Sequence, residues 1–374
     1  MRIAFPWLPI RIGKLRSERI GHFVANTELY LCRRSLAAHQ RRFLDFFFYD
    51  QPPCNLQLAI MWKRILRIHT FFSSVYRVNC LLPCSERHLV PLWNSRDTDG
   101  YLQQTTPHLT FSTEEEEIGA QLLRDLGIPV GADFVCFNAR NSLYLETTLY
   151  SSNWNYHSYR NSTIRNYVPA MEEVCRRGYF AIRMGGTVDQ PICSSYSNLI
   201  DYASRGRTDF LDIYLLAKCR FFVGDTAGLV AVPEAFRRPY LMVNAIPIEN
   251  ICSWWPQILF IPKRLWLQEQ ERFLSFKEIY ATGASRFMHT TDYDRLGIVP
   301  MENTPEEILA AVAEIDDRLG GTWQGCPEDD LLQKSFWDLF PGDRASGKSA
   351  FRHGTISTRI GSMFLRQNYS LLSD

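Results

Sequence analysis

The sequence predicts an α/β protein built on a doubly wound parallel sheet, and three observations carry that expectation. From residue 133 onward, short runs that are apolar at nearly every position (Asp133–Phe137, Tyr179–Arg183, Arg220–Val223, Tyr240–Val243) alternate with helix-length amphipathic segments. Strands covered on both faces read this way, whereas half-exposed strands alternate apolar and polar residues. Polar or basic residues follow several of these strands, and open α/β sheets bind ligands beyond the carboxyl ends of their strands. A length of 374 residues also exceeds what one core normally sustains, about 250–300 residues, so two domains are expected.

The amino-terminal stretch carries weaker signals of the same kind. Thr27–Leu36 and Leu56–His69 read as helices. Leu44–Tyr49 reads as a buried strand closed by Asp50 and the Pro52–Pro53 turn, and Val75–Leu81 as another strand. Residues 90–112 are polar and irregular. Ser112 and Thr113 followed by Glu114–Glu117 open a helix that runs to Leu126 and stops at Gly127, with Pro129 beyond. The four glutamates suit the positive end of that helix better than a metal ion.

In the second half, Val168, Met171, Val174 and Cys175 share one face of a helix from Tyr167 to Arg177, with Pro169 in its first turn and Gly178 ending it. Asn198–Tyr202 reads as a strand, Asp209–Lys218 and Gly228–Phe236 as helices. Thr304, Pro305, Glu306 and Glu307 open a helix to Leu319. The expected division is an amino-terminal domain over 1–125, a second domain over 126–322, and a tail over 323–374 docking back on the first.

Composition narrows the class of partner. Residues 1–100 hold fifteen Lys and Arg against seven Asp and Glu, while the whole chain carries only +1. A basic first half is either a solvated face or a match for an acidic partner, a membrane surface, a phosphorylated lipid or nucleic acid; among the partners, peripheral membrane association and no nucleic acid are expected. The ten cysteines are scattered with no CxxC pair, which argues for a reducing compartment and against a zinc site. No apolar run reaches the roughly 20 residues of a membrane span, and no signal-peptide core follows the start, so a cytoplasmic protein, peripheral to the inner face of a membrane, is expected.

The residues that point to chemistry cluster after strands. Gly224-Asp225-Thr226-Ala227-Gly228 joins a strand to a helix. Read one way, Asp225 or Thr226 caps that helix. Read the other way, the amides of Thr226, Ala227 and Gly228 and the dipole behind them receive a phosphate, and the glycines admit it to the backbone. Glu234, two turns further on, is either a surface carboxylate or, paired with this turn, a holder of ribose hydroxyls. Asn138 and Arg140 follow one strand, and Arg183 and Gly185 another, each arginine offering a planar cationic fork. The loop 150–166 is rich in hydrogen-bonding groups, of which Asn155, His157, Tyr159 and Arg160 suit sugar hydroxyls. Asp97 with Asp99, and Asp292 with Asp294, lie in polar stretches and read as solvated.

Three stretches, CFNARNSLYL, YHSYRNSTIRNYVPAMEEVCRRGYFAIRMG and RTDFLDIYLLAKCRFFVGDTAGL, resemble a family of bacterial glycosyltransferases associated with surface-polysaccharide genes, and more distantly the fucosyltransferase-like GT-B enzymes. PEAFRRP is similar to the Glu-Ala before a proline in many GT-B enzymes; RIGHFVANTELYL and ISTRIGSMFL match the family's amino-terminal loop and tail. The resemblance implies two Rossmann-like domains facing across a cleft. The nucleotide-sugar donor would lie on Asn138, Arg140, Arg183, Gly185, the 224–228 turn and Glu234. Gly21, Asn26 and the 155–160 loop would meet a glycan or lipid-linked acceptor. His22 would be the general base, with Asp225 and Glu146 as alternatives. No metal or other cofactor is implied. A transferase of a non-sugar group such as pyruvyl, and a non-catalytic glycan- or nucleotide-binding module, are the competing expectations.

Overall fold

The computed structural model describes residues 8–37, 43–141, 154–186, 191–340 and 353–372. The chain divides into two compact units. The first comprises residues 1–120, 208–217 and 228–237; the second comprises 121–207, 218–227 and 238–374.

In the first unit, strand β1 (Ile10–Leu15) pairs in parallel with β2 (Leu44–Tyr49), Ile10 opposite Leu44. Parallel bridges Ile12–Leu89 and Phe47–Ile68 extend the sheet on both sides. Helix α1 (Ile20–Leu36) follows β1 and buries Phe23, Val24, Leu29, Tyr30 and Leu31. Helix α2 (Leu56–Ile65) starts at Asn55, whose side chain accepts the Leu58 amide. Helix α3 (Phe71–Cys80) covers β2 through Phe72 on Phe46 and Tyr76 on Phe48. Val75–Leu81 is therefore helical rather than a strand: the apolar positions 72 and 76 are one turn apart and share the buried face. Helix α4 (Tyr101–Gln104) is capped by Asp97, whose carboxylate accepts the amides of Tyr101 and Leu102 at 2.8 Å. Asp97 is thus buried, not solvated. Helix α5 (Thr113–Asp125) begins in a reciprocal cap between Ser112 and Glu115, and Glu115 also holds Gln57 and Arg64.

The second unit is built on a seven-stranded parallel sheet. Its strands are β3 (Phe134–Asn138), β4 (Phe180–Arg183), β5 (Leu199–Ile200), β6 (Phe222–Gly224), β7 (Tyr240–Ala245), β8 (Ile258–Pro262) and, beyond the three-stranded antiparallel flap β9 (Arg264–Leu267), β10 (Arg272–Phe273) and β11 (Ile298–Met301), the edge strand β12 (Arg359–Ile360). The order is β12-β8-β7-β6-β3-β4-β5. Every residue of β3, β6, β7 and β8 is buried, which accounts for their unbroken apolar character. Helices Val168–Arg176 and Pro305–Gly320 pack on each other, the latter opened by the expected Thr304–Glu307 cap.

Two expectations change. The domain boundary is not a single cut, because helix Asp209–Lys218 and the segment after Gly228 return to the first unit. The tail lies on the second unit: β12 pairs with β8, Gln333 bonds the backbone of Ile360, and Arg366 pairs with Asp329 at 2.6 Å. An open sheet edge leaves backbone groups unpaired, and β12 takes up those of β8.

Gly119, in the middle of α5, has no room for a side chain: a Cβ there would lie 2.2 Å from the ring of Tyr214. Alanine normally favours a helix interior over glycine. Gly119→Ala is nevertheless expected to lower unfolding free energy by about 1–3 kcal/mol in urea titration. In the background of Tyr214→Ala that cost is expected to shrink, and equal costs in the two backgrounds would remove the packing explanation.

Candidate functional site

The chain runs from β3 outward to β4 and β5, then returns to the other side of β3 as β6. Neighbouring strands therefore leave in opposite directions at β3 and β6, the place where open sheets form a crevice. Asn138 and Gly224 are register partners at the carboxyl ends of these two strands. Just beyond them the buried Asp225 accepts the Arg140 amide at 2.5 Å and the Ser162 hydroxyl at 2.7 Å. Its other carboxylate oxygen is buried and has no hydrogen-bond partner among the described residues.

Three cations surround this carboxylate. Arg140 donates to the His157 carbonyl at 3.1 Å and to Asn161 Oδ1 at 2.6 Å. Arg160 donates to the Thr226 carbonyl, while its Nε is buried without a partner among the described residues. Lys263, just after β8, donates to the Asn161 carbonyl at 2.7 Å. Burial, then the neighbouring Arg160, brings Arg140 down to about 10, and burial lowers Lys263 as well. Asp225 is raised by burial, against the pull of Ser162 and Arg140. Desolvated cations that repel one another gain most from an added anion. Lys263 escaped the sequence reading, although its signal was present: the apolar run Ile258–Pro262 ends on it.

The turn itself differs from expectation. The Ala227 amide is taken by the Asp225 carbonyl at 2.7 Å, while that of Thr226 has no partner among the described residues. The Thr226 hydroxyl accepts the Ile246 amide and faces the Met242 sulfur. The helix behind the turn is a 3-10 stretch, Gly228–Val230, and then only five residues, Ala231–Ala235. Pro233 has no amide to give to the carbonyl four residues back, so a long aligned dipole does not form. Gly224 is small because a Cβ would meet the Phe222 ring at 2.6 Å. Side-chain cations, not a helix end, dominate the site.

Other expected donor residues are occupied elsewhere. Arg183 is buried and paired with Asp201 at 3.3 Å; Asp201 also accepts the Ile192 amide and the Ser204 hydroxyl. It braces the exits of β4 and β5 rather than presenting a fork. Asn138 donates to the Met184 carbonyl at 3.2 Å, just before Gly185. The His157 ring lies 3.8 Å from that of Tyr156, and the buried Tyr159 packs at 5.2 Å on Tyr293. Tyr159 is a core ring rather than one set out for sugar hydroxyls, whereas His157 is half-buried against Tyr156. Glu146 and the Asn155 side chain lie outside what is described.

In the first unit, His22 sits in the first turn of α1, after the basic exit loop of β1. Its Nδ1 faces Asn26 Oδ1 at 3.4 Å, and burial together with Arg16 lowers its pKa below 6.5. The imidazole is therefore neutral at neutral pH, as a general base requires. Asn26 is buried and donates to the Leu92 carbonyl, so it orients His22 rather than meeting substrate. Gly21 is a packing residue: its added Cβ would lie 2.9 Å from the Gly228 Cα. That contact, not ligand access, explains both glycines. Glu234 is buried and lines a small cavity with Ala25, Glu28, Leu29 and Ala231. It belongs to the first unit, and the 224–227 turn to the second.

No protein-family model matches the chain, and no curated protein matches it. Among solved structures it is similar to a glycosyl transferase family 9 protein from Veillonella parvula DSM 2008, with TM-score 0.48 and 11% identity over 82% of this chain and 97% of that one. It is also similar to the E. coli ADP-heptose lps heptosyltransferase II, with TM-score 0.41 and 13% identity over 68% and 90%. A third likeness is to E. coli heptosyltransferase WaaC with ADP, with TM-score 0.37 and 8% identity over 68% and 91%. All three are distant, and the chemistry rests on the chain's own geometry.

One cluster of metal-ligating types occurs among the described residues: Glu28, Cys32 and His108, with one ligand atom of each within 4.8 Å of the others. A cation already serves it. Arg237 donates to Glu28 at 2.9 Å, to Thr105 at 3.1 Å and to the Leu102 carbonyl at 2.9 Å, and reaches the Cys32 sulfur at 3.5 Å. His108, hydrogen-bonded to Cys32 and Glu28, is raised to about 9. A raised histidine stabilises the fold below its unfolded value near 6.5 and loses that contribution as pH climbs through about 9. Thermal unfolding from pH 6 to 9.5 is expected to show this decline in the wild type and a flatter profile in His108→Gln. Parallel profiles would rule the pair out as its source.

Proposed function

We propose that this protein is a glycosyltransferase of GT-B type, moving a sugar from a nucleotide-activated donor to a glycan or lipid-linked acceptor in surface-polysaccharide assembly at the cytoplasmic face of a membrane. The observation that carries the proposal is the set of cations Arg140, Arg160 and Lys263, the first two half-buried and the third buried, around the buried Asp225 at the β3/β6 switch point. That position and charge suit the diphosphate of a nucleotide-sugar. The family resemblance of the sequence around residues 133–244 supports the sugar rather than another transferred group.

In this reading the donor binds the second unit, and the first activates the acceptor. Hydrogen bonding of Nδ1–H to Asn26 leaves the His22 Nε2 lone pair as the proton acceptor. The acceptor hydroxyl oxygen attacks the anomeric carbon, and its proton passes to Nε2. The bond from that carbon to the phosphate oxygen breaks, and the nucleoside diphosphate leaves with the electron pair. Arg140, Arg160 and Lys263 stabilise the charge that develops there, which lets the step proceed without a metal. Asp225 is a positioning residue, fixing the Arg140 backbone and Ser162.

Thermal-shift measurements with ADP, UDP, GDP and CMP test the donor site. One nucleotide is expected to stabilise the wild type, by about 2.7 kcal/mol at a hundredfold excess over Kd. Arg140→Ala and Lys263→Met are expected to weaken it by roughly ten- to a hundredfold. Arg183→Ala should instead lower the melting temperature without ligand, because it strands Asp201. Flat responses to all four nucleotides would reject the reading.

A second test addresses the base. His22→Ala is expected to lower transfer by about 10²–10⁴-fold while nucleotide binding persists. The acid limb of the rate profile should fall below pH 6.5, since His22 is lowered from that value. Removing the nearby charge with Arg16→Gln should move the limb upward. An unmoved limb would exclude His22 as the titrating group.

A further inference from the structure

Helix α3 is packed on one side only. Phe72 and Tyr76 meet β2, and Asn79 is buried with its amide on the Ser85 carbonyl. The opposite side is apolar and open to solvent. Phe71 is 63% exposed, Val78 59%, Leu81 85% and Leu82 42%. Phe71, Val78 and Leu81 fall on one side at helical spacing, with the exposed Ser74 between the first two, and Leu82 follows just past the helix end, so the apolar residues form a ridge. Contiguous exposed apolar ridges in soluble domains mark surfaces that dock.

The surrounding charge identifies the partner. Arg67, Arg77 and Arg87 precede, lie on and follow α3, are exposed, and have no ion pair or side-chain hydrogen bond among the described residues. Between residues 56 and 88 the charged side chains are Lys63, Arg64, Arg67, Arg77, Arg87 and a single acid, Glu86. A second copy of the chain would bring like-charged rims together, since a two-fold interface sets a patch against itself. A short amphipathic helix with open apolar side chains and unpaired arginines instead matches an anionic bilayer, where the ridge enters the acyl boundary and the guanidinium groups meet headgroup phosphates.

We propose that the α3 ridge of Phe71, Val78, Leu81 and Leu82, with Arg67, Arg77 and Arg87, is the surface by which this protein docks on an anionic lipid bilayer. The inference rests on the reading of a membrane-associated acceptor, and it gives that reading a place on the chain. Docking through this ridge would hold the first unit, which carries His22, at the surface where a lipid-linked acceptor resides.

Flotation of the full chain tests this with vesicles of phosphatidylcholine alone and with one third phosphatidylglycerol. The wild type is expected to float with the anionic vesicles, and to do so less as salt rises. Val78→Ser with Leu81→Ser, and separately Arg77→Glu with Arg87→Glu, are each expected to reduce partition by about tenfold or more. These side chains are exposed, so melting temperatures should be unchanged, and the charge pair covers the case in which the apolar pair alters folding. Nucleotide-induced stabilisation should persist in both variants, which separates loss of docking from failure of the donor site. A wild type that does not float, or variants that float equally, would overturn the proposal. So would light scattering that shows a dimer dissociated by the Val78 and Leu81 changes, because the ridge would then meet a second copy.

Discussion

The second unit depends on the buried carboxylate of Asp225. A carboxylate out of water is costly unless its lone pairs are taken up, and an amide from one strand exit and a hydroxyl from the following loop take up one oxygen. Those two donors tie the end of β6 to the residues after β3, so the crevice between the strands keeps one shape. Arg140, Arg160 and Lys263 offset its charge and exceed it. The same arrangement thus fixes the loops and leaves a positive remainder, which is what an anion would meet.

The strands of the second unit were legible because burial on both faces forces an unbroken apolar run, and β3, β4, β6 and β7 were each marked in this way. Helix Pro305–Gly320 was legible because its cap is local in sequence. Where a competing local pattern existed, sequence reasoning failed. Val75–Leu81 alternates well enough for a strand, yet Phe72 and Tyr76, one turn apart, both meet β2. The site was half legible for a related reason. A strand end flags a position but not the direction of its side chain. Arg140 and Arg183 look equivalent in sequence, yet one meets the Asp225 cluster and the other is buried on Asp201. Glycines misled similarly: Gly21 and Gly228 suggested ligand access, and their cause is the backbone approach of two helical segments.

The first unit is held together by segments distant in sequence. Helix Asp209–Lys218 enters it through Asp209, which accepts the Leu56 amide at 2.7 Å and, through its carbonyl, the Asn55 side chain at 2.9 Å. Residues 228–237 enter through Gly228 on Gly21 and leave through Arg237 on Glu28. Each entry is fixed near a point where the chain changes unit. A linear domain boundary could not be read from composition, because these returning segments continue the strand–helix alternation of the second unit without a compositional break.

Arg237 shows what such an anchor costs and why it persists. Its φ of 59° is left-handed, a conformation that disfavours a side-chain-bearing residue by about 1 kcal/mol or more. The strain is offset by donation to Glu28, Thr105 and the Leu102 carbonyl, the first a charge-assisted bond to a carboxylate that is 1% exposed. Without the guanidinium, Glu28 would keep only His108 and Cys32 as partners among the described residues, where one of its oxygens is already unpartnered. A metal ion in the same place would have to displace Arg237 and leave its strained backbone without compensation. The cluster is therefore better understood as a buried ion pair that closes the first unit around the returning chain than as a vacant coordination site.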